Sequence, residues 1–291
     1  MRTTRFALAT VLATSVVGVL SSASGVAHAA ATPSLSTCKT LVNSQELVKG
    51  KLTVATDSPV YTPWFVNNTP TNGQGYESAV AYAIAGELGI AKSNVKWTTE
   101  AFDSSYVPGP KKFDFDINEI SYTANRAQAV TFSVSYYNVN QSIVSLKTNA
   151  IVKNHTPAQL KNYQYGDQIG TTGLAYINNY IKPTRPPRVY STLNDAVLAL
   201  KDKQIDAIII DTPSGQYMAT AQVLNAKQQS LATQVGQFPS VGEHYGLLFH
   251  KGNPLATCVN VAINALTTSG QLKALQTKWL GLYNSVPTLK P

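Results

Sequence analysis

The sequence predicts an α/β fold, and three observations carry that expectation. Short strand-like segments alternate with helical ones along most of the chain. Several helices open on a capping residue followed by proline. One apolar segment of strand length, IDAIIID (205–211), lies between helical stretches. Strands alternating with helices favour sheets that are mostly parallel, and such sheets bind ligands beyond the C-terminal ends of their strands. No internal repeat or low-complexity block stands out after residue 37.

The elements follow in order. Lys51 to Asp57 (KLTVATD) alternates Leu52 and Val54 as a strand does. Tyr76 to Leu88 carries Val80, Ile84 and Leu88 at helical spacing, and Gly89 stands where a helix C-terminus favours glycine. Asn94 to Thr98, Phe113 to Asn118 and Asn140 to Lys147 read as strands, with a short helix over Thr123 to Val130. Thr156-Pro157, Thr212-Pro213 and Asn253-Pro254 each place a capping residue before a proline at the first helical position. Thr192 with Asp195 opens a helix to Lys201 in the manner of a capping box. The apolar run of 205–211 suits a central strand covered on both faces. Gln271 to Trp279 closes the chain as a helix before Gly281.

The first residues set the expected compartment. Arg2 and Arg5 precede an uncharged, largely apolar run from Phe6 to Leu20, and small residues follow to Ala27-His28-Ala29. These are the three parts of a secretory signal, so residues 1–29 are expected to be removed on export. A membrane anchor would need roughly 20 apolar residues, and Ser21, Ser22 and Ser24 end the run early. A lipid-attached form would need a cysteine directly after the apolar core. The first cysteine, Cys38, lies well beyond it and follows Thr37, so lipidation is not expected.

The 291-residue chain has 23 basic and 15 acidic residues, which become 21 and 15 without Arg2 and Arg5. The basic residues are scattered, with no run longer than Lys111-Lys112, which fits solubility rather than a nucleic-acid stripe. The length allows one large domain or two lobes of about 130 residues. Cys38 and Cys258 stand in an export context where disulfides persist. Pairing them would be worth on the order of 5 kcal/mol in the chain-entropy model; two separate buried thiols are the other reading.

A few residues carry candidate chemistry. Arg126, within SYTANRAQAVTFSVSYY, has the planar fork that pairs with a carboxylate, although a solvated surface arginine would look the same. Ser121 and Thr123 offer hydroxyls to the same anion. Gly170-Thr171-Thr172-Gly173 follows a strand and opens a helix, either as an anion-holding turn or as ordinary capping by Thr172. Asp211 ends the IDAIIID strand, where its carboxylate would receive an ammonium, cap the next helix, or both. Asp57 ends the first strand ahead of Tyr61 and Trp64, as a turn residue or as a polar wall beside an aromatic. Enzyme signatures are mostly absent: there is no HExxH, GxSxG, CxxC or P-loop, and Gly73-Gln74-Gly75 lacks a dinucleotide context. His155, His244 and His250 share no metal-ligand spacing, so neither a metal site nor a cofactor is expected.

At these residues the chain resembles the family-3 solute-binding proteins of polar amino-acid ABC importers. The matching motifs are GKLTVATD…YTPW, GYESAVAYAIAGELG, FDFDINEISYTANRAQAVTFSVSYY, IGTTGLAYI, LNDAVLALKDKQIDAIIIDTPSGQYM and YGLLFHKGNPL…LTTSGQLKALQTKWLG, in the family's order over 49–282. The resemblance implies a type II periplasmic-binding-protein-like fold of two α/β lobes joined by two hinge crossings, near Tyr136–Asn140 and Val241–Tyr245. Lobe 1 would comprise 30–140 and 246–291, and lobe 2 would comprise 141–245. Both cysteines then fall in lobe 1, which permits the disulfide.

The resemblance also implies roles. Arg126 would bind the ligand α-carboxylate with help from Ser121 and Thr172, and Asp211 the α-ammonium. Asp57, Tyr61 and Phe102 would recognise the side chain. The chain departs from the family at Glu119, where Gly, Ser or Gln is usual, and at Asn118, where a small residue is usual. The GYESAV helix lacks a second acidic residue, and the Asp57–Tyr61 segment is one residue longer. Glu119 either faces the ligand or offers only its backbone carbonyl. The function implied is a monomeric extracytoplasmic amino-acid-binding protein, periplasmic or secreted. It would serve an ABC permease, with Asp57 and Glu119 favouring a cationic or amide ligand. An exported dehydratase acting on prephenate or arogenate is the alternative on the same architecture, with Glu119 or Asp57 as its general acid or base. A lobed sensor or adhesion module without a transporter is a third reading.

Overall fold

The computed structural model describes residues 32–283 and 285–289; the expected signal segment, 1–29, lies outside the described residues. Helix α1 (Leu35–Gln45) opens on Ser34, whose hydroxyl accepts the Thr37 N–H. Then come β1 (Leu52–Thr56), α2 (Tyr76–Glu87), β2 (Val95–Thr99), α3 (Phe102–Ser105), β3 (Phe115–Asp116), α4 (Arg126–Ala129) and β4 (Val130–Asn138). The chain continues through β5 (Gln141–Leu146), α5 (Pro157–Leu160), β6 (Gly166–Gln168), α6 (Thr172–Tyr176), β7 (Arg188–Tyr190), α7 (Leu193–Lys201) and β8 (Ala207–Asp211). It closes with α8 (Thr212–Tyr217), β9 (Ala232–Gln237), β10 (His244–His250), α9 (Leu255–Thr268) and α10 (Gln271–Leu280).

These strands form two principal sheets, one per lobe. The first runs β2-β1-β3-β10-β4. Its β1 pairs in parallel with β2 and β3, whereas β10 lies antiparallel to β3 and β4. The second runs β8-β5-β9, all antiparallel, and a bridge between Tyr165 and Ala207 joins it to the parallel pair β6-β7. The expectation of mostly parallel sheets therefore holds only in part. Strands β4, β5, β9 and β10 lead the chain from one sheet to the other and back, so they enter against the direction of their neighbours.

Local sequence explains the first lobe. Helix α2 starts after Gly75, whose φ of 96° and tight seat under Trp64 exclude a side chain; a Cβ there would lie 2.3 Å from the Trp64 carbonyl oxygen. It stops as its sequence predicts. Gly89 has φ 77°, its N–H donates to Gly86 O, and the Ile90 N–H donates to Ala85 O. That pair of bonds is a Schellman ending, which satisfies carbonyls a helix end otherwise leaves bare. The apolar stripe of α2 (Val80, Ala81, Ile84) packs with Leu52 and Val54 of β1 and with Val259, Ala262, Ile263 and Leu266 of α9 in one core. Cys38 of α1 and Cys258 of α9 are disulfide-bonded, with Cα atoms 5.3 Å apart. Strand β3 is shorter than Phe113–Asn118 because Glu119, with φ 53°, turns the chain away; Asp114 instead ties Thr53 N and Leu47 N to its two carboxylate oxygens.

The second lobe shows why IDAIIID is apolar throughout. Ala207 and Ile209 face one core with Ile143, Tyr165 and Ile177. Ile208, with Ile210 beside it, faces the other with Val144, Met218 and Ala196, Val197 and Leu200 of α7. Strand β8 is thus central and covered on both sides. Each fully buried aliphatic side chain of this kind contributes roughly 1.5–3 kcal/mol. Thr156 and Thr192 cap their helices as expected, and Thr156 forms a full capping box with Gln159. Thr212 does not cap α8: it is the first helical residue, and its hydroxyl donates to Asn140 O.

Three passages connect the lobes. Val139–Asn140 joins β4 to β5, and residues 238–243 join β9 to β10. The third is the C-terminal tail, which sequence reasoning allotted wholly to lobe 1 as part of 246–291. Helices α9 and α10 do pack with the first sheet, but the tail returns to the second. Gln237 N donates to Pro287 O at 2.9 Å, Leu289 N donates to Gln237 O at 2.7 Å, and the Leu289 side chain joins the core around Ile143 and Phe238.

Candidate functional site

Between the lobes lies a cavity of about 140 Å³, the scale of one small solute rather than of a polymer. Arg126 enters it from the start of α4. Its backbone N–H is held by the Thr123 hydroxyl at 3.1 Å. The guanidinium is buried: Nη1 donates to Ser121 O at 2.7 Å, and Nη2 donates across the cleft to Gly170 O at 2.8 Å. Its centre stands 5.3 Å from the Phe102 ring centroid and 4.7 Å from that of Tyr106, positions that favour a cation over a ring face. Burial lowers the Arg126 pKa, while Tyr106, Glu243 and Asp211 pull it back up. Because the ordinary arginine pKa lies far above neutrality, the group stays charged.

Asp211 lies in the same cavity. It occupies the N-cap position of α8 but makes no side-chain capping bond. Its Oδ1 accepts from Gln141 Nε2 at 2.5 Å and its Oδ2 from the Tyr245 hydroxyl at 2.6 Å. Of the two roles open to it from sequence, capping is therefore not the one its oxygens serve. Burial, reinforced by the charge of Glu243, pushes its pKa up to about 8, against the opposing pull of Tyr245, Gln141 and Arg126. Gln141 also donates to Glu243 Oε2 at 3.0 Å, and Glu243 Oε1 accepts from the Ser121 hydroxyl at 2.6 Å. Ser121 thus gives its hydroxyl to the hinge side and its carbonyl to Arg126, and it lies outside the cavity lining.

Thr172 lines the cavity as the first residue of α6, with Oγ1 3.4 Å from Gln141 Nε2. The cap of α6 is Thr171 rather than Thr172: its Oγ1 accepts the Leu174 N–H. Asp57, Tyr61 and Phe102 line the cavity too. Tyr61 donates to Asn194 Oδ1 across the cleft at 2.9 Å, and Asp57 Oδ1 accepts its neighbour's N–H at 2.6 Å. Burial raises the Asp57 pKa.

Glu119 lines the cavity with its carboxylate turned toward the second lobe. Oε2 accepts from Ser214 Oγ at 2.6 Å, and Ser214 in turn accepts from Trp64 Nε1 at 2.6 Å. Its backbone N–H donates to Glu77 Oε1 at 2.7 Å, which helps hold its left-handed φ. Burial, then the neighbouring Glu77, raises its pKa well above the ordinary carboxylate range.

Sequence reasoning missed Gln141, Glu243, Ser214 and Asp167. The first three sit beside the hinge crossings or in α8, and nothing in their immediate sequence distinguishes them from surface polar residues. Asp167 had a signal: an acidic residue within a buried strand of GDQ. The resulting lining sets the carboxylates of Asp57, Glu119, Asp167 and Asp211 against one cationic side chain among the described residues, Arg126. Among the described residues no cluster suits a metal ion, and no helix is long and apolar enough to cross a membrane.

A probable histidine-binding protein of Campylobacter jejuni is 33% identical over 141 residues, 47% of this chain and 51% of that relative. The chain thus spans about half the length of this first relative. The ABC transporter arginine-binding protein 1 of Escherichia coli is 25% identical over 76% of this chain and 88% of its own. A crystal structure of a mutant ArgBP from T. maritima superposes with a TM-score of 0.64 at 25% identity, covering 84% of this chain and 99% of the other. The family model of the bacterial extracellular solute-binding proteins, family 3, matches residues 52–282, and with two lobes closing on one polar cavity the chain belongs to that family.

Proposed function

We propose that this protein captures a cationic amino acid outside the cytoplasm and delivers it to the permease of an ABC importer. The observation that carries the reading is the shared cavity of Arg126 and Asp211, one from each lobe, with Asp57, Glu119 and Asp167 beside them. In this reading Arg126 takes the α-carboxylate, Asp211 takes the α-ammonium, and the remaining carboxylates face a side chain of positive charge. Four acids with raised pKa values around one cation form a site that a cationic solute relieves and an anionic one worsens.

The energetics are adequate. Micromolar capture needs about 8 kcal/mol, and charge-assisted hydrogen bonds contribute roughly 1.5–3 kcal/mol each before ordering costs. Closure is favoured only by contacts that the solute makes to both lobes at once. Two relatives are named for binding histidine and arginine. The expected export signal fits the reading, since an importer's capture protein works outside the membrane.

The test is a panel of the common amino acids, screened by thermal shift and then by calorimetry. Arginine, lysine or histidine is expected to stabilise the protein most. A preference for glutamate or aspartate would refute the anionic cavity, and turnover of prephenate or arogenate would replace binding with catalysis.

A further inference from the structure

Asp167 is a cavity acid with one carboxylate oxygen left unused. It lies on β6 with 2% of its surface exposed. Its Oδ1 accepts the Gln168 N–H at 2.8 Å, whereas its Oδ2 has no hydrogen-bond partner among the described residues. The Thr171 hydroxyl lies nearby, but its proton goes to Gln168 O and its oxygen receives Leu174 N–H. The other cavity acids are differently placed. Both oxygens of Asp211 are engaged, Glu119 is held by Ser214, and Asp57 is only half-buried.

A buried acceptor left without a donor costs roughly 1–3 kcal/mol, and such groups need a reason. The cavity supplies one, because Asp167 lines it. Gly173 lines it too and packs tightly here: a Cβ added there would lie 2.1 Å from Ile209 O and 2.6 Å from Asp167 Oδ2.

We propose that Asp167 is a charge-selecting residue of the cavity, whose free carboxylate oxygen receives a cationic nitrogen of the bound amino acid. The inference rests on the amino-acid-binding reading and sharpens it: the solute carries a second positive charge beyond its α-ammonium. Burial and the neighbouring Asp211 both raise the pKa of Asp167, as expected for an acid without its counter-ion.

The experiment compares the wild type with Asp167→Asn by calorimetry. The probes are L-arginine, L-lysine and L-histidine as cations, with L-citrulline and L-glutamine as neutral partners of similar shape. For the tightest cation, the substitution is expected to weaken binding by at least about tenfold, the scale of one charge-assisted bond. The neutral probes are expected to shift by less than about threefold. Asp167→Val, checked for folding by circular dichroism, is expected to give the same selective loss, and it serves if the Asn variant misfolds. An equal loss for charged and neutral probes would mark a merely structural carboxylate and overturn the proposal, as would no loss. A wild type that binds none of the probes would instead remove the amino-acid reading itself, and this inference with it.

Discussion

At the scale of single residues, the two poles of the cavity make different predictions. Arg126 was legible in the sequence because its surroundings resemble a known motif; its burial and its bond to Gly170 O were not, since they depend on a residue of the other lobe. Arg126→Ala is expected to weaken amino-acid binding at least about tenfold by calorimetry, because it removes a charge-assisted contact and strands Ser121 O and Gly170 O. Unchanged affinity would discredit the carboxylate role. Asp211 makes a pH prediction. Its folded pKa of about 8 stands above the ordinary 3.8 of an aspartate, so the ligand-free protein binds a proton there that the unfolded chain has lost. Its contribution to folding stability is therefore fully present below about pH 4 and is lost as pH rises toward 8. Binding an ammonium requires the ionised form, so affinity is expected to rise with pH across the same window, by up to about tenfold per unit, with proton release. Calorimetry at pH 6 and pH 8 in buffers of different ionisation enthalpy measures both; affinity that is flat with pH would show that Asp211 is already ionised when empty.

At the scale of elements, the sequence was most readable where a local rule governs. The α2 ending at Gly89, the Thr156 and Thr192 caps, and the two-faced β8 each follow from residues within a few positions of one another. The α1–α9 disulfide was readable because only two cysteines exist. Elements set by distant partners were not readable: β3 shrinks because Glu119 turns toward Glu77, and the tail crosses lobes because Gly236 leaves room for Leu289. A Cβ on Gly236 would meet Leu289 Cδ2 at 2.3 Å, so the two residues are fitted to each other. Leu289→Ala is expected to lower stability by about 2 kcal/mol in urea denaturation, at the mild end for a buried leucine. No change would mean that the tail rests on the second lobe without holding it.

At the scale of the whole molecule, function depends on how the lobes meet, and this was the least legible level. Four polar contacts span the cleft: Arg126 to Gly170 O, Tyr61 to Asn194, Tyr245 to Asp211, and the relay from Trp64 through Ser214 to Glu119. None is local in sequence; the Trp64 and Ser214 partners are 150 residues apart. The relay is the informative one, because Ser214 satisfies a tryptophan N–H and a carboxylate together. Removing its hydroxyl leaves both without a partner only when the lobes are closed, so Ser214→Ala should bias the molecule toward an open form. A binding-competent state that is less populated lowers apparent affinity by the same fraction for every solute. Ser214→Ala is therefore expected to weaken charged and neutral amino acids alike, by about five- to thirtyfold if about one to two kcal/mol of closure is lost. Small-angle scattering should show a larger radius of gyration for the ligand-free variant than for the wild type. A loss confined to cationic solutes, with unchanged dimensions, would instead assign Ser214 to recognition through Glu119 and would remove the relay from the closing mechanism.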